Sequence, residues 1–184
     1  SGVWIMAYTT IDDPSKYFTT TLYTGDGNDD RSITNSANAG NFKPDWLWAK
    51  QRNTTRHHQL VDSTRGATKM LQSSLANAES TNANAIQAFE TNGFQLGTDT
   101  DINQDAGTYV SWQWVANGGT TTTNDASSTS VGTIDSVYQA DTTAGFSIVT
   151  FTGTGSAGTI AHGLGSTPQV IITKDRGATE NWIM

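Results

Sequence analysis

The chain has no cysteine and only three prolines in 184 residues. Without thiols there are no disulfides, no thiol catalysis and no Cys-ligated zinc. Small secreted eukaryotic domains commonly carry bridges, so the absence tilts the expected origin towards a bacterial or viral product. Charge is scarce as well. Asp, Glu, Lys and Arg make up 15% of the chain, against roughly 25% in soluble proteins generally. The charge that is present sums to −7, which repels polyanions, so neither nucleic acid nor an anionic membrane surface is an expected partner. No apolar run approaches the ~20 residues needed to span a bilayer, and the N-terminal stretch does not read as a signal peptide.

Thr, Ser, Asn and Gly fill the space that charge leaves. Thr favours the pleated surface of a strand, while Gly and Asn supply the positive φ of turns. Many short β-prone runs follow one another, with turn signals every ~8–12 residues and no long helical periodicity between them. The expected fold class is all-β, in tandem β-sandwich (jelly-roll-like) domains.

The tandem reading comes from an internal echo. Pro44-Asp45-Trp46-Leu47-Trp48-Ala49-Lys50-Gln51-Arg52 returns as Pro168-Gln169-Val170-Ile171-Ile172-Thr173-Lys174-Asp175-Arg176, 124 residues on. Tyr23-Thr24-Gly25-Asp26-Gly27 returns as Phe151-Thr152-Gly153-Thr154-Gly155, 128 residues on, and Trp4-Ile5-Met6 as Trp182-Ile183-Met184. Such a period suits an independently folding domain rather than a solenoid repeat of roughly 20–50 residues. The expected boundaries are the end of a preceding repeat over 1–16, a complete β-sandwich over 17–118, a Thr/Ser/Gly-rich linker over 119–136, and the start of a second copy over 137–184. Both copies of the echoed stretch read as buried strands.

Period 2 places Trp46, Trp48 and Lys50 on one face of the first copy and Leu47 and Ala49 on the other. Apolar residues on both faces mark a central strand, with His57 to Asp62 pairing beside it. Residues 68–75 are compatible with a strand or a short helix. Asn92-Gly93, between Ile86 to Glu90 and Phe94 to Leu96, predicts a hairpin on a type I′ turn. Val110, Trp112 and Trp114 share a face of the next strand, and the tryptophans at 46, 48, 112 and 114 are expected in the core.

Few residues suggest chemistry. Asp26, Asn28 and Asp30, and again Asp99, Asp101 and Asn103, have the alternating oxygen ligands that open a calcium-binding loop. Both triplets lack the Gly and Glu that complete that motif, so solvated turns are the expected role. His57 and His58 are adjacent and point to opposite faces of a strand, and His162 has no evident partner. His57, Asp62 and Ser63 lie near one another without a nucleophile elbow. The acids sit in polar loops and not as a glycosidase pair. No catalytic residue, metal or cofactor is assigned, and an enzyme is not expected. For the cations repeated at 50, 52, 174 and 176, an ion pair with Asp62 or with a neighbouring domain is the simplest role.

The organising stretch 44–52, with His58-Gln59-Leu60-Val61-Asp62-Ser63-Thr64-Arg65-Gly66, Asn92-Gly93-Phe94 and Thr108-Tyr109-Val110-Ser111-Trp112-Gln113-Trp114, resembles a module that recurs in structural proteins of marine and cyanobacterial tailed phages. Gly145-Phe146-Ser147-Ile148-Val149-Thr150-Phe151, with Ile160-Ala161-His162-Gly163-Leu164-Gly165 and Lys174-Asp175-Arg176, is similar to the opening of the same module. The resemblance implies a virion or tail-fibre location and no activity assignable by residue. The expectation is a non-enzymatic virion protein on the particle surface, concerned with host attachment. Its expected partners are other virion proteins and a host cell-surface glycan, in a homo-oligomer for which a trimer is the expected form. The alternative is a carbohydrate-binding (lectin-like) module of an extracellular protein, which calls for an exposed aromatic cluster or a calcium site.

Overall fold

The computed structural model describes residues 11–35 and 41–184; the strand expected over 2–9, with Trp4, lies outside them. A 3-10 turn, Pro14–Lys16, is capped by the Asp13 carboxylate, which accepts from the Ser15 amide. The described strands are β1 (Phe18–Thr24), β2 (Arg31–Thr34), β3 (Trp46–Gln51), β4 (Gln59–Asp62), β5 (Gly66–Leu71), β6 (Ser80–Thr81), β7 (Ile86–Glu90), β8 (Gly93–Leu96), β9 (Thr108–Trp114), β10 (Thr122–Asn124), β11 (Ser136–Asp141) and β12 (Phe146–Phe151). Two single-turn helices, α1 (Thr100–Asn103) and α2 (Ala126–Thr129), complete the set. Among the described residues no helix is long and apolar enough to cross a membrane.

The fold is all-β. A six-stranded antiparallel sheet runs β1-β9-β3-β4-β5-β6. A three-stranded sheet, β2-β8-β7, shares one core with it. Strand alternation supplies that core: β3 turns Leu47 and Ala49 inward, β9 turns Tyr109, and β1 turns Tyr23. The smaller sheet answers with Ile33, Ile86, Phe94 and Leu96, and α1 adds Ile102. Tyr23 and Tyr109 stack at 4.9 Å, and Phe94 meets Tyr23 edge-on at 6.0 Å. The Tyr23 hydroxyl donates to the Ile102 carbonyl at 2.9 Å, so its polar end is satisfied.

The tryptophans lie on the other side. Trp46, Trp48, Trp112 and Trp114 sit half-buried on the outer face of the large sheet, contrary to the core position expected for them. Period 2 sorted the residues into faces correctly. It could not say which face the second sheet would cover, and β2-β8-β7 covers the side with the smaller residues.

The hairpin of β7 and β8 forms, one residue out of the expected register. Glu90 pairs with Gly93, so Thr91 and Asn92 make the turn. Asn92 does not take positive φ, which excludes type I′. Gly93, at φ 122°, instead opens β8, where a Cβ would lie 2.0 Å from the Ile33 carbonyl oxygen. The glycine serves the close approach of β2 rather than the turn. Residues 68–75 resolve as part of β5, followed by turn.

Beyond residue 118 the chain builds a third sheet, β10-β11-β12. The stretch expected as a linker holds β10 and α2. The Asp125 carboxylate caps α2, accepting from the amides of Ser127 and Ser128, and β10 pairs with β11. The second echoed stretch is not the expected buried strand. Over 168–176 it forms a single antiparallel bridge, Thr173 to Ile183, and Val170, Ile171 and Ile172 are exposed. It lacks neighbours of the kind that β9 and the small sheet give to β3.

Some contacts within residues 168–184 nevertheless fall at the positions that the sequence echo assigns to 44–60. The Thr173–Ile183 bridge falls at the positions of the Ala49–Gln59 pair between β3 and β4. Lys50 donates to the carbonyls of Gln51 (2.5 Å) and Thr54 (3.2 Å). Lys174 donates to those of Asp175 (2.6 Å) and Ala178 (3.0 Å). The two lysines tie the same loop in the same way, where ion pairs were expected.

Candidate functional site

The two acidic triplets come together, held by hydrogen bonds and ion pairs. Asn103, fully buried at the end of α1, accepts from the Asp26 amide at 3.1 Å and donates to the Asn28 and Gly97 carbonyls at 2.8 and 2.9 Å. Asp26 accepts from the Asn28 amide and pairs with Arg31 at 3.2 Å. The amide bond and the nearby guanidinium hold its carboxyl below the ordinary value. Asp99 caps α1 through the Asp101 amide at 2.7 Å, and Asp101 pairs with Arg56 at 3.0 Å and Gln59 at 3.2 Å. Asp30 lies in the same loop at φ 54°. Asp26, Asp99 and Asp101 therefore have protein partners, and among the described residues no three acidic or histidine side chains converge as a metal-binding group.

His57, Asp62 and Ser63 do not assemble either. His57 Nδ1 lies 3.1 Å from the Ser74 hydroxyl, Asp62 binds Arg65, and the Ser63 hydroxyl donates to Asp45 at 2.6 Å. His58 Nδ1 accepts from the Trp48 indole at 2.8 Å. Burial, with Lys50 and His57 nearby, pushes the His58 pKa down, so the ring is neutral at pH 7 and Nδ1 is free to accept. His162 accepts from the Leu164 amide at 3.2 Å within its own turn.

The surface with most content is the outer face of the large sheet. Trp48 and Trp112 meet edge-on at 6.0 Å beside His58. Along the same face Trp114 packs on Phe18 at 4.8 Å. Phe146, at the start of β12, then stacks on Trp114 and meets Trp46 edge-on, both at 5.9 Å. The third sheet is thus seated on the aromatic face of the first. Gln139 of β11, fully buried, donates to the hydroxyls of Ser63 (2.9 Å) and Thr64 (2.6 Å) and reinforces that contact.

An ionic chain fixes the C-terminal segment to the same body. Arg65, nearly fully buried, binds Asp62 at 2.5 Å and Glu79 at 2.8 Å. Arg176 grips Glu79 with two hydrogen bonds of 2.8 Å, and Trp182 donates to the carbonyls of Gln72 and Leu75 at 3.0 and 3.1 Å. Burial alone would raise the Glu79 carboxyl; the hydrogen bonds from Arg176 and Arg65 outweigh it and hold it below the ordinary value. For Arg176 an ion pair with Asp62 or with a neighbouring domain was expected; its partner is Glu79. Asp62 is taken by Arg65, an arginine that the repeat pattern did not single out.

One further residue escaped sequence reasoning. Asp45 is fully buried, and its carboxylate accepts from the amides of Ala116 and Gly118, both at 2.7 Å, as well as from Ser63. It joins the start of β3, the turn after β4 and the exit from β9. Only the approach to an organising strand marked it in the sequence.

Between β12 and residues 172–177 lies an open cleft of about 670 Å³, floored by Trp46 and Leu60 of the large sheet. No curated protein and no solved structure matches the chain. Residues 13–184 match a family described as a domain of unknown function (DUF7483), and the chain belongs to that family.

Proposed function

We propose that this chain is a non-enzymatic structural module of a tailed-phage virion, part of a tail fibre or similar appendage, in which one β-unit recurs in tandem. The observation that carries the reading is the repeated contact set. Lys50 and Lys174 tie equivalent loops, and the Thr173–Ile183 bridge falls where Ala49 pairs with Gln59. A repeat that preserves these ties while its other loops differ suits a building block that must join copies of itself. Phe146 stacked on Trp114 and Arg176 clamped on Glu79 supply joints between successive units. Arrayed on a particle, such units would contact a host-surface glycan weakly and many times over, raising avidity by ~10²–10⁴. Other virion proteins and further copies of the chain, three in the proposed assembly, would be its partners.

Antibody raised against the whole chain, applied with gold label to intact phage particles from lysates that carry its coding sequence, tests this. Label on tails or appendages supports the reading. Label confined to the soluble, particle-free fraction refutes it.

A carbohydrate-binding role is favoured by one observation, the half-exposed Trp48 and Trp112 beside His58 on a sheet face. Aromatic faces stack on the apolar C–H patches of sugars. Titration with purified cell-surface polysaccharide, read by tryptophan emission, separates the two: a saturable shift lost in Trp112→Ala supports the lectin-like reading, and no shift leaves the structural one.

A further inference from the structure

Acids and bases are unevenly placed in this chain. Of its 17 Asp and Glu, none falls in β1, β3 or β9, nor in the loop of residues 52–58 that follows β3. Residues 50–58 hold three of the ten Lys and Arg, at 50, 52 and 56, and two of the three histidines. The net charge of −7 thus has a local exception, and it adjoins the aromatic face of the large sheet.

Strand pairing sets the layout. Trp48 lies opposite Trp112, and Lys50 opposite Val110, across β3 and β9. Phe146 covers Trp46 and Trp114, while Trp48 and Trp112 in the next row stay half-exposed. Alternation turns Lys50 and Arg52 to the side of Trp48, and a rise of about 3.3 Å per residue puts them roughly 7 and 13 Å along from it.

The polar groups here have capacity to spare. Arg56 is paired with Asp101 at 3.0 Å, but among the described residues neither Lys50 nor Arg52 has an ion pair. Lys50 gives two hydrogen bonds to the carbonyls of Gln51 and Thr54, which leaves a third proton and an uncompensated charge. Arg52 is exposed. His58 Nδ1 accepts from the Trp48 indole, so the proton of the neutral ring is on Nε2, a donor without an acceptor among the described residues.

We propose that the face of Trp48 and Trp112, with Lys50 and Arg52, binds an anionic sugar of a polysaccharide, one that carries a carboxylate or a sulfate. The ring lies on the aromatic pair, its anion reaches the two cations, and His58 Nε2 donates to a ring oxygen. Charge complementarity selects this occupant. Nucleic acid, with one charge per about 1.7 Å of duplex, would meet repulsion from the rest of the acidic chain, whereas a sparsely charged glycan engages the local cations alone. The inference rests on the carbohydrate-binding reading above and names its ligand class.

The test is calorimetric titration of the full 184-residue chain with tetrasaccharides of galacturonic acid, of sulfated galactose and of plain galactose. One of the anionic sugars should bind about fivefold or more tightly than the neutral one, as two exposed charge contacts would give. That excess should shrink in about 1 M salt, where the Debye length is about 3 Å. Arg52→Glu should lower the affinity for the anionic sugar by about fivefold and leave that for galactose unchanged. Arg52 is exposed, so that variant folds, and far-ultraviolet circular dichroism checks it. Equal binding of all three sugars with indifference to Arg52→Glu would overturn the anionic preference and leave the carbohydrate-binding reading standing. Binding of none would overturn both. A polyglutamate peptide that binds as tightly as the anionic sugars would mean that charge alone is read, and would overturn the proposal too.

Discussion

Removing the Asp45 carboxylate should cost more stability than any surface charge of this chain. In Asp45→Ala two backbone amides, of Ala116 and Gly118, lose acceptors 2.7 Å away, and the Ser63 hydroxyl loses one at 2.6 Å. The Ala116 amide is buried, and a buried donor left unpaired costs about 1–3 kcal/mol, while Gly118 is exposed and Ser63 half-buried, so water replaces much of what they lose. The net expectation is about 2–3 kcal/mol, relief of the carboxylate's own desolvation offsetting part of the sum. With a urea m-value of about 2 kcal/mol/M, that lowers the midpoint by about 1–1.5 M. Asp45→Asn keeps one acceptor oxygen and should fall between wild type and Asp45→Ala. Urea titration followed by tryptophan emission and by far-ultraviolet circular dichroism measures both variants. A loss below about 1 kcal/mol for Asp45→Ala would refute the claim that this carboxylate joins β3, the turn after β4 and the exit of β9.

Three further outcomes follow from the geometry. Gly93→Ala should destabilise by about 3 kcal/mol, because φ 122° is strained for alanine and its Cβ would meet the Ile33 carbonyl; urea unfolding checks it. Glu79 has a folded-state pKa below its ordinary 4.5, so its clamp on Arg176 is fully present above that pH and is lost as pH falls through the lower folded value. Amide hydrogen exchange, corrected for the intrinsic pH dependence of exchange, should show residues 172–182 losing protection as pH drops, and Glu79→Gln should show the lower protection at neutral pH too. His58 also has a depressed pKa, so its contribution is present above 6.5 and is lost as pH falls through the folded value. Protonation of Nδ1 removes the acceptor for Trp48, and an acid transition in tryptophan emission should vanish in His58→Phe.

How much was legible in the sequence varies by element. The alternation of β3 and β9 sorted every side chain to its correct face. Which face became the core was hidden, because Leu47 and Ala49 offer less apolar bulk than Trp46 and Trp48. Only the small sheet, assembled from β2, β7 and β8 far apart in the chain, decides it. Asn92-Gly93 signalled a hairpin correctly and its turn type wrongly, since the glycine answers to Ile33, a tertiary neighbour. Both acidic triplets were expected as solvated turns, yet the second caps and forms α1 and buries Asn103, and the partners Arg31 and Arg56 carried no pattern. Glu79, 97 residues from Arg176, carried no local pattern at all. The repeat was visible as residues; that it keeps the lysine ties but leaves 170–172 exposed was visible only in three dimensions.

Amide hydrogen exchange on the whole chain tests most directly whether residues 168–184 adopt the opening geometry of the first unit. Thr173 and Ile183 donate to one another's carbonyls, while among the described residues no backbone group pairs with the amides of Ile172 and Lys174. The account predicts protection at the Thr173 and Ile183 amides, matching the sense of Ala49 and Gln59, with fast exchange at Val170, Ile172 and Lys174. Uniformly fast exchange from 168 to 184, or protection on the alternate residues instead, would contradict it.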